Sequence, residues 1–299
     1  MKTLPILLST LTLSLLAACG GGSSDATTPT IPSTSSGIVS GTAVKGPVAG
    51  GTMTAYSIVN GAMGSQLTSG TTDSQGNFQL SIGAYSGPVM LQLSGGTYTD
   101  EATGVSMGMS SGNVMTAVIS TVASGSTASG IQVTPLTSMA QTMAQTMAGG
   151  MSVTNIATAN TSMGNFFMVN DILHTQPMNP LVSGSGATAT QEMKNYGMAN
   201  AAISQSAKDT GMASSSSMVT AMMNDASDGV MNGMMGSTTV TMGGMMAGSA
   251  VLPSTAGTSR LAIEMAAFMT SAMNKSGVTA SNMTALMNQL TNNTSGKIQ

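Results

Sequence analysis

The side chains best suited to chemistry in this sequence are thioethers, because the chain carries 31 Met against one Cys and one His. Six of them lie in a glycine-rich segment, residues 229–248, with the sequence GVMNGMMGSTTVTMGGMMAG. These six are Met231, Met234, Met235, Met242, Met245 and Met246. Thioethers are soft ligands that suit Cu(I) and Ag(I), so this spacing can gather three or four sulfurs around such an ion.

The Gly/Met segment, residues 229–248, has two other interpretations. Exposed thioethers are oxidised reversibly to sulfoxide and can therefore consume oxidant. Alternatively, the segment is a low-complexity loop or β-ribbon with a strand at 238–241, in which Met is filler. Its glycine density disfavours a regular helix, and all three interpretations stay open at this point.

Other chemical groups do not form recognisable catalytic motifs. The chain has no Ser-x-x-Lys, phosphate-binding loop or dinucleotide-binding motif. His174 has no nucleophile in a nearby motif, and the carboxylate pairs Asp100 with Glu101 and Asp225 with Asp228 fall in turn-like sequences. A calcium loop would need more closely spaced oxygen ligands than the second pair offers. We therefore expect no enzymatic activity and no cofactor other than the Cu(I) considered above.

The small number of charged residues excludes a further class of function. Only 7 Lys or Arg and 10 Asp or Glu occur in 299 residues, and the formal net charge is −3. A nucleic-acid binder needs a basic stripe to displace the counterions of the phosphates. The composition therefore predicts no nucleic-acid partner.

The N-terminal residues predict the location of the protein. Residues 1–18 combine a cation at Lys2, an apolar stretch and small residues, as in a secretory signal peptide. The ending Leu16-Ala17-Ala18-Cys19 resembles the lipobox of bacterial lipoproteins, which implies that Cys19 carries the lipid anchor. A Gly rather than an Asp follows it, which in such lipoproteins implies the outer membrane, on its periplasmic or surface face. Residues 19–36 are rich in Gly, Ser, Thr and Pro and are predicted to form a flexible tether.

Residues 37–134 show the alternating apolar pattern of short strands separated by turns. Turn signals include Gly46-Pro47, Asn60-Gly61 and Gly87-Pro88. The pattern predicts about seven strands, enough for a small β-sandwich.

Two stretches within this region, SGTAVKGPVAGGTMTAYSI and TTDSQGNFQLSI, resemble the carboxypeptidase-regulatory-like, or transthyretin-like, β-sandwich. The resemblance implies that Thr72–Phe78 forms a hairpin, with the turn at Asp73 and Gly76 and the aromatic ring in the core. YSGPVMLQLSGGTYTDEATG and VTPLTSMAQ also resemble bacterial lipoproteins in which such a sandwich precedes a helical region. The resemblance implies a non-catalytic module outside the cytoplasm, used for adhesion, spacing or docking.

After Pro135 the apolar period lengthens to about 3.6 residues, which predicts helices. The clearest stripes are Leu136, Met139, Met143 and Met147, then Leu261, Met265, Phe268, Met269 and Met273, and finally Met283, Leu286, Met287 and Leu290. Three weaker stripes bring the expected number to six helices, with Met replacing Leu in the core. We expect an α+β protein in which a β-sandwich precedes a helical bundle at residues 135–299, with a domain boundary at Thr134.

These features together predict an outer-membrane lipoprotein that acts as a non-enzymatic binding, adhesion or structural module of the cell envelope. Its contacts would be the membrane, through Cys19, and a protein or glycan that the sequence does not identify. The alternative function is Cu(I) or Ag(I) binding, or reversible oxidant scavenging, by the Gly/Met segment.

Overall fold

The computed structural model describes residues 36–110, 112–243 and 250–299. Their fold is mixed α+β, with several sheets and six α-helices, which confirms the predicted class and the expected number of helices. The first nine strands are β1 Gly37–Ala43, β2 Thr52–Val59, β3 Ala62–Thr71, β4 Asn77–Gly83, β5 Gly87–Ser94, β6 Thr97–Thr99, β7 Ser106–Gly108, β8 Val114–Val122 and β9 Thr127–Val133.

The helices follow in the second half of the chain. They are α1 Pro135–Thr146, α2 Val153–Phe166, α3 Gln191–Asp209, α4 Ser215–Ala226, α5 Ser259–Thr270 and α6 Ala280–Asn292. Among the described residues between α4 and α5 there are four two-residue strands, namely β10 Met234–Met235, β11 Thr238–Thr239, β12 Thr241–Met242 and β13 Ala250–Val251. A short 3₁₀ turn spans Ser185–Ala187.

Seven of the strands form the two larger sheets. The first has the order β4-β1-β9, with β1 antiparallel to β4 and parallel to β9. The second has the order β3-β2-β5-β8 and is antiparallel throughout. Strand β3 gives no alternating signal in the sequence, because apart from Met63 and Leu67 its side chains are small or polar and it lies at the edge of its sheet.

The turn that the family resemblance identified at Thr72–Phe78 has the expected local structure. Asp73 Oδ1 accepts hydrogen bonds from the backbone N–H groups of Gln75 and Asn77, each at 2.8 Å, and Phe78 is buried. The flanking strands β3 and β4 nevertheless belong to different sheets. The segment is therefore a connection between sheets, and the implied hairpin is wrong.

Helix α1 covers the outer edge of the four-stranded sheet. The backbone N–H of Thr116, in the edge strand β8, donates to Ser138 Oγ at 2.8 Å, and its carbonyl accepts from Thr137 Oγ1 at 2.8 Å. Asn160 of α2 donates to the carbonyl of Val118 in the same strand at 3.1 Å. Helical side chains thus take the place of a neighbouring strand, which protects the edge from pairing with another chain.

The change from strand to helix does occur at Thr134, yet this residue lies inside the packed structure. Thr134 is fully buried, caps the N-terminus of α1 and lies 2.5 Å from the hydroxyl of Tyr196 in α3. All described residues belong to one compact unit, and their buried apolar side chains form one continuous core. The predicted boundary therefore marks a change of element type within a shared core.

This packing predicts how an isolated strand fragment should behave. Residues 36–134 should retain strands but associate or aggregate, because the edge of β8 loses the side chains of α1 and α2. A longer fragment, residues 36–166, restores both helices and should associate less. Circular dichroism with analytical ultracentrifugation compares the two, and a monomeric, cooperatively unfolding 36–134 fragment would contradict the expectation.

Candidate functional site: a buried charge cluster and the Gly/Met segment

The strongest concentration of buried charge is an ion pair between Lys45 and Glu101. Lys45 Nζ lies 2.6 Å from Glu101 Oε2, and both side chains are almost completely buried. Ser204 of α3 bonds to both partners: it accepts from Lys45 and donates to Glu101 Oε2 at 2.6 Å. The backbone N–H of Gly46 donates to Glu101 Oε1 at 3.0 Å, so both carboxylate oxygens are hydrogen-bonded.

A second buried carboxylate lies next to this pair in the sequence. Asp100 Oδ2 accepts from Ser215 Oγ, at the first turn of α4, at 2.6 Å, and Oδ1 accepts from the backbone N–H groups of Ala102 and Thr103. The hydroxyl of Tyr98 lies 3.0 Å from Ser215 Oγ. Asp100 and Glu101 do occupy a turn, as predicted, but they also connect the strand region to α3 and α4.

The sequence contains a signal for this cluster that motif analysis missed. Lys45 is the only cation between residues 3 and 193, and it stands in the apolar context AVKGPVAG. Lys is rarely fully buried unless it is paired. An isolated Lys in a strand-like sequence therefore predicts a buried carboxylate partner, although it does not identify which one.

The cluster contains the Ser and Lys of a Ser-Lys catalytic pair, but its Lys is not free to act as a base and its Ser is not open to a substrate. A nucleophilic Ser needs a free base and access to the substrate. Ser204 is almost completely buried, and Lys45 is paired with Glu101. The hydroxyl of Ser204 donates its hydrogen bond to the same carboxylate. This geometry favours a structural role.

The sequence also contains two Gly-x-Ser-x-Gly stretches, at 104–108 and 108–112. In a hydrolase this motif places the Ser on a strand-to-helix turn. Here the first stretch runs into β7, and no helix follows β7 before β8. Ser110 instead lies with its hydroxyl 2.9 Å from Ser214 Oγ, and nothing in the described residues makes it a nucleophile.

The structure places the four described thioethers of the Gly/Met segment in different environments. Met231 and Met242 are buried in the core, Met234 is half-buried, and Met235 is 46 % exposed. Met245 and Met246 lie outside the described residues. Within the described part of the segment β10 pairs with β11, and β12 pairs with β13, which lies just after the segment. The strand expected at 238–241 is interrupted at Val240, so it forms two short strands, β11 and β12, with different partners.

Two aspartates organise the first half of the Gly/Met segment. Asp225 Oδ1 accepts hydrogen bonds from the backbone N–H groups of Asn232, Gly233 and Met234, and Asp228 accepts from two further N–H groups. Both residues therefore act as the turn and cap residues that the sequence predicts. Burial raises the pKa of Asp225 to about 6, because the loss of hydration outweighs the three N–H bonds.

His174 and Cys19 are the remaining candidate residues from the sequence. His174 is exposed, and its Nδ1 lies 2.7 Å from Asp171 Oδ2, in agreement with a solvated or capping role. Cys19 lies outside the described residues. Within residues 36–110, 112–243 and 250–299, no group of three His, Cys, Asp or Glu side chains is arranged to hold a metal ion. No helix in these ranges is long and apolar enough to cross a membrane.

Comparison with known proteins adds no family assignment. No family model matches the chain, and no curated protein matches it. Among solved structures, the chain is similar to part of a 9R-lipoxygenase from Cyanothece PCC8801, with 8% sequence identity and a TM-score of 0.21. The match covers 64% of this chain and 24% of the lipoxygenase, and a likeness this low supports no conclusion about fold or activity.

The buried ion pair should behave as a unit in mutants. We expect Lys45→Met or Glu101→Gln alone to lower the free energy of unfolding by about 3–5 kcal/mol, because each leaves the charge of the other residue buried without its partner. The double variant should lose less than the sum of the two. Urea unfolding measures all three, with the exposed Lys275→Met as control. Additive losses would show that the two side chains are not coupled.

Asp225 should make stability depend on pH. Its pKa in the folded protein is about 6, above the ordinary 3.8, so the folded state binds more protons between these values. Its contribution to the free energy of unfolding should therefore fall as the pH rises from 4 to 6, by about 2 kcal/mol. Asp225→Asn should remove this slope and be at least as stable as the parent at pH 7. The exposed Asp228→Asn should keep the slope, and a slope that Asp225→Asn leaves intact would contradict the assignment.

Proposed function

We propose that the protein is a lipid-anchored, non-enzymatic binding or structural module of the bacterial outer membrane. The observation that carries the proposal is the sequence Leu16-Ala17-Ala18-Cys19, in which the single Cys of the chain follows an apolar leader at lipobox spacing. Diacylation at Cys19 supplies a stable anchor, because two acyl chains bury enough CH₂ groups to hold a protein on a bilayer.

The arrangement of the charged groups supports a non-enzymatic role. Lys45 and Glu101 are buried and committed to each other, Asp100 bonds to hydroxyl and backbone groups, and Asp225 holds three backbone N–H groups. Each of these carboxylates stabilises a turn or joins elements. A general acid or base needs reach to a substrate proton, whereas the Glu101 carboxylate is bonded to Lys45, Ser204 and the backbone N–H of Gly46.

The two larger sheets support a finer assignment of the fold. We assign them to a transthyretin-like β-sandwich that carries the helical region on its β8 edge. The seven strands of the two sheets and the buried Phe78 support the assignment. Such a module presents loops and sheet faces to a protein or glycan partner in the envelope, while the tether at 19–36 sets its distance from the bilayer.

Anchoring is tested by Cys19→Ala in cells that process lipoproteins. The variant should leave the membrane fraction or keep its leader uncleaved, because the thioether can no longer form. The parent should incorporate labelled fatty acid, and a tether control, Ser23→Ala, should behave like the parent. A mature, membrane-bound Cys19→Ala protein would refute the lipoprotein assignment.

A second candidate function, reversible oxidant scavenging by the Gly/Met segment, is favoured by the exposure of Met235. An accessible thioether is oxidised to sulfoxide readily, whereas a core thioether is shielded. Soft-metal binding is less well supported, because Met231 and Met242 have their side chains in the core. Capture of Cu(I) by the segment would therefore rely on Met234, Met235, Met245 and Met246.

Peptide mapping after mild oxidation separates these alternatives. Met234, Met235, Met245 and Met246 should be oxidised before core residues such as Met143 and Met265. If the segment binds Cu(I), about one ion per chain should protect these four but not the exposed Met63, which serves as the matched control. Oxidation that Cu(I) leaves unchanged supports scavenging, and uniformly slow oxidation would dismiss both functions. Replacing the four by Leu should leave the thermal stability almost unchanged.

A further inference from the structure

We propose that a cleft beside the buried charge cluster binds an uncharged, peptide-like segment, with Asn200 as the residue that recognises its amide. The cleft encloses about 70 Å³, or about 440 Å³ when the open space at its mouth is included. One wall is the chain after β1, with Gly46 and Pro47, and the other is the loop before α3, with Pro177 and Met178. The proposal does not depend on lipid anchoring.

Asn200 lines this cleft and is 2% exposed. Neither Nδ2 nor Oδ1 of its side chain has a hydrogen-bond partner among the described residues. A buried amide without partners is unfavourable, because it has given up water at both a donor and an acceptor. Its backbone carbonyl accepts from Lys45 Nζ at 3.4 Å, so the charge cluster holds the residue in place.

The loop that forms the second wall is held against α3 by backbone contacts. The N–H of Met178 donates to the carbonyl of Met193 at 3.0 Å. Gly197 lets the loop come this close, since a Cβ at that position would lie 2.1 Å from the carbonyl oxygen of Met178. The wall is therefore built into the fold, and a ligand reaches Asn200 from the mouth, where Gln75 and Gln176 are exposed.

The chemistry of the cleft selects the ligand class. One donor and one acceptor on a single amide complement the C=O and N–H of a peptide group. A charged ligand would find no counterion, because Lys45 and Glu101 neutralise each other. Glu101 lines the cleft but is 2% exposed, and it already accepts two hydrogen bonds at Oε2 and one at Oε1, so it offers sugar hydroxyls at most one further acceptor site. The apolar surfaces of Pro47, Pro177 and Met178 suit the side chains of an uncharged peptide.

The test uses the full chain in detergent, labelled with ¹⁵N at Asn, and N-acetyl-alanyl-alanine methylamide as the probe. The side-chain amide resonance of Asn200 should shift saturably as the dipeptide is added. In Asn200→Leu, which fills the same space without hydrogen bonds, the affinity measured by calorimetry should fall about tenfold or more. The exposed Asn288→Leu should bind like the parent.

The alternatives are distinguishable within the same experiment. N-acetylglucosamine carries the same amide on a sugar, and saturable binding of it in preference to the dipeptide would overturn the peptide assignment. The absence of any shift at Asn200 with either compound, or equal affinity in Asn200→Leu, would overturn the site. The titration of the parent decides the question even if the Leu variant is unstable. Correct lipidation with no binding would refute this site alone.

Discussion

The constraint on which much of the structure depends is the burial of Lys45. An unpaired ammonium in the core would be very costly, so the fold must bring a carboxylate and further hydrogen-bond partners to it. Glu101, Ser204 and the carbonyl of Asn200 meet this need. The segment after β1, the turn after β6 and helix α3 are therefore held together by one set of bonds, and the neighbouring Asp100 extends the set to α4.

The same requirement explains how the described residues form one compact unit although the sequence carries so few charges. The carboxylates at Asp100, Glu101 and Asp225 are buried where they organise backbone or join elements, so they contribute little to the surface. Uncharged hydroxyl and amide side chains form other hydrogen bonds between elements, for example where α1 and α2 cover the β8 edge. Met fills the core between sheets and helices, in keeping with its ability to adapt to irregular gaps.

The Met residues of the Gly/Met segment have different structural roles. Met231 and Met242 complete the core, while Met235 faces solvent from a short ladder. The order of the first half comes from Asp225 and Asp228, whose carboxylates hold the backbone N–H groups of the turn. A cluster of thioethers in the sequence is therefore divided by the fold, and only its exposed part is available for oxidant or soft metal.

The sequence by itself determined the α+β class and the six helices, because hydrophobic periodicity is a local property. Most residues of the predicted stripes are buried, while Met147, Met269, Met273 and Met287 are half-buried. It also predicts the lipid anchor at Cys19, which depends on a contiguous motif. Only the tertiary structure decided that Thr134 lies inside a shared core, that the Asp73 turn joins two sheets, and that Lys45 pairs with Glu101. These features depend on contacts between residues distant in the chain, such as Glu101 with Ser204, and no local pattern specifies which partners a buried charge will find.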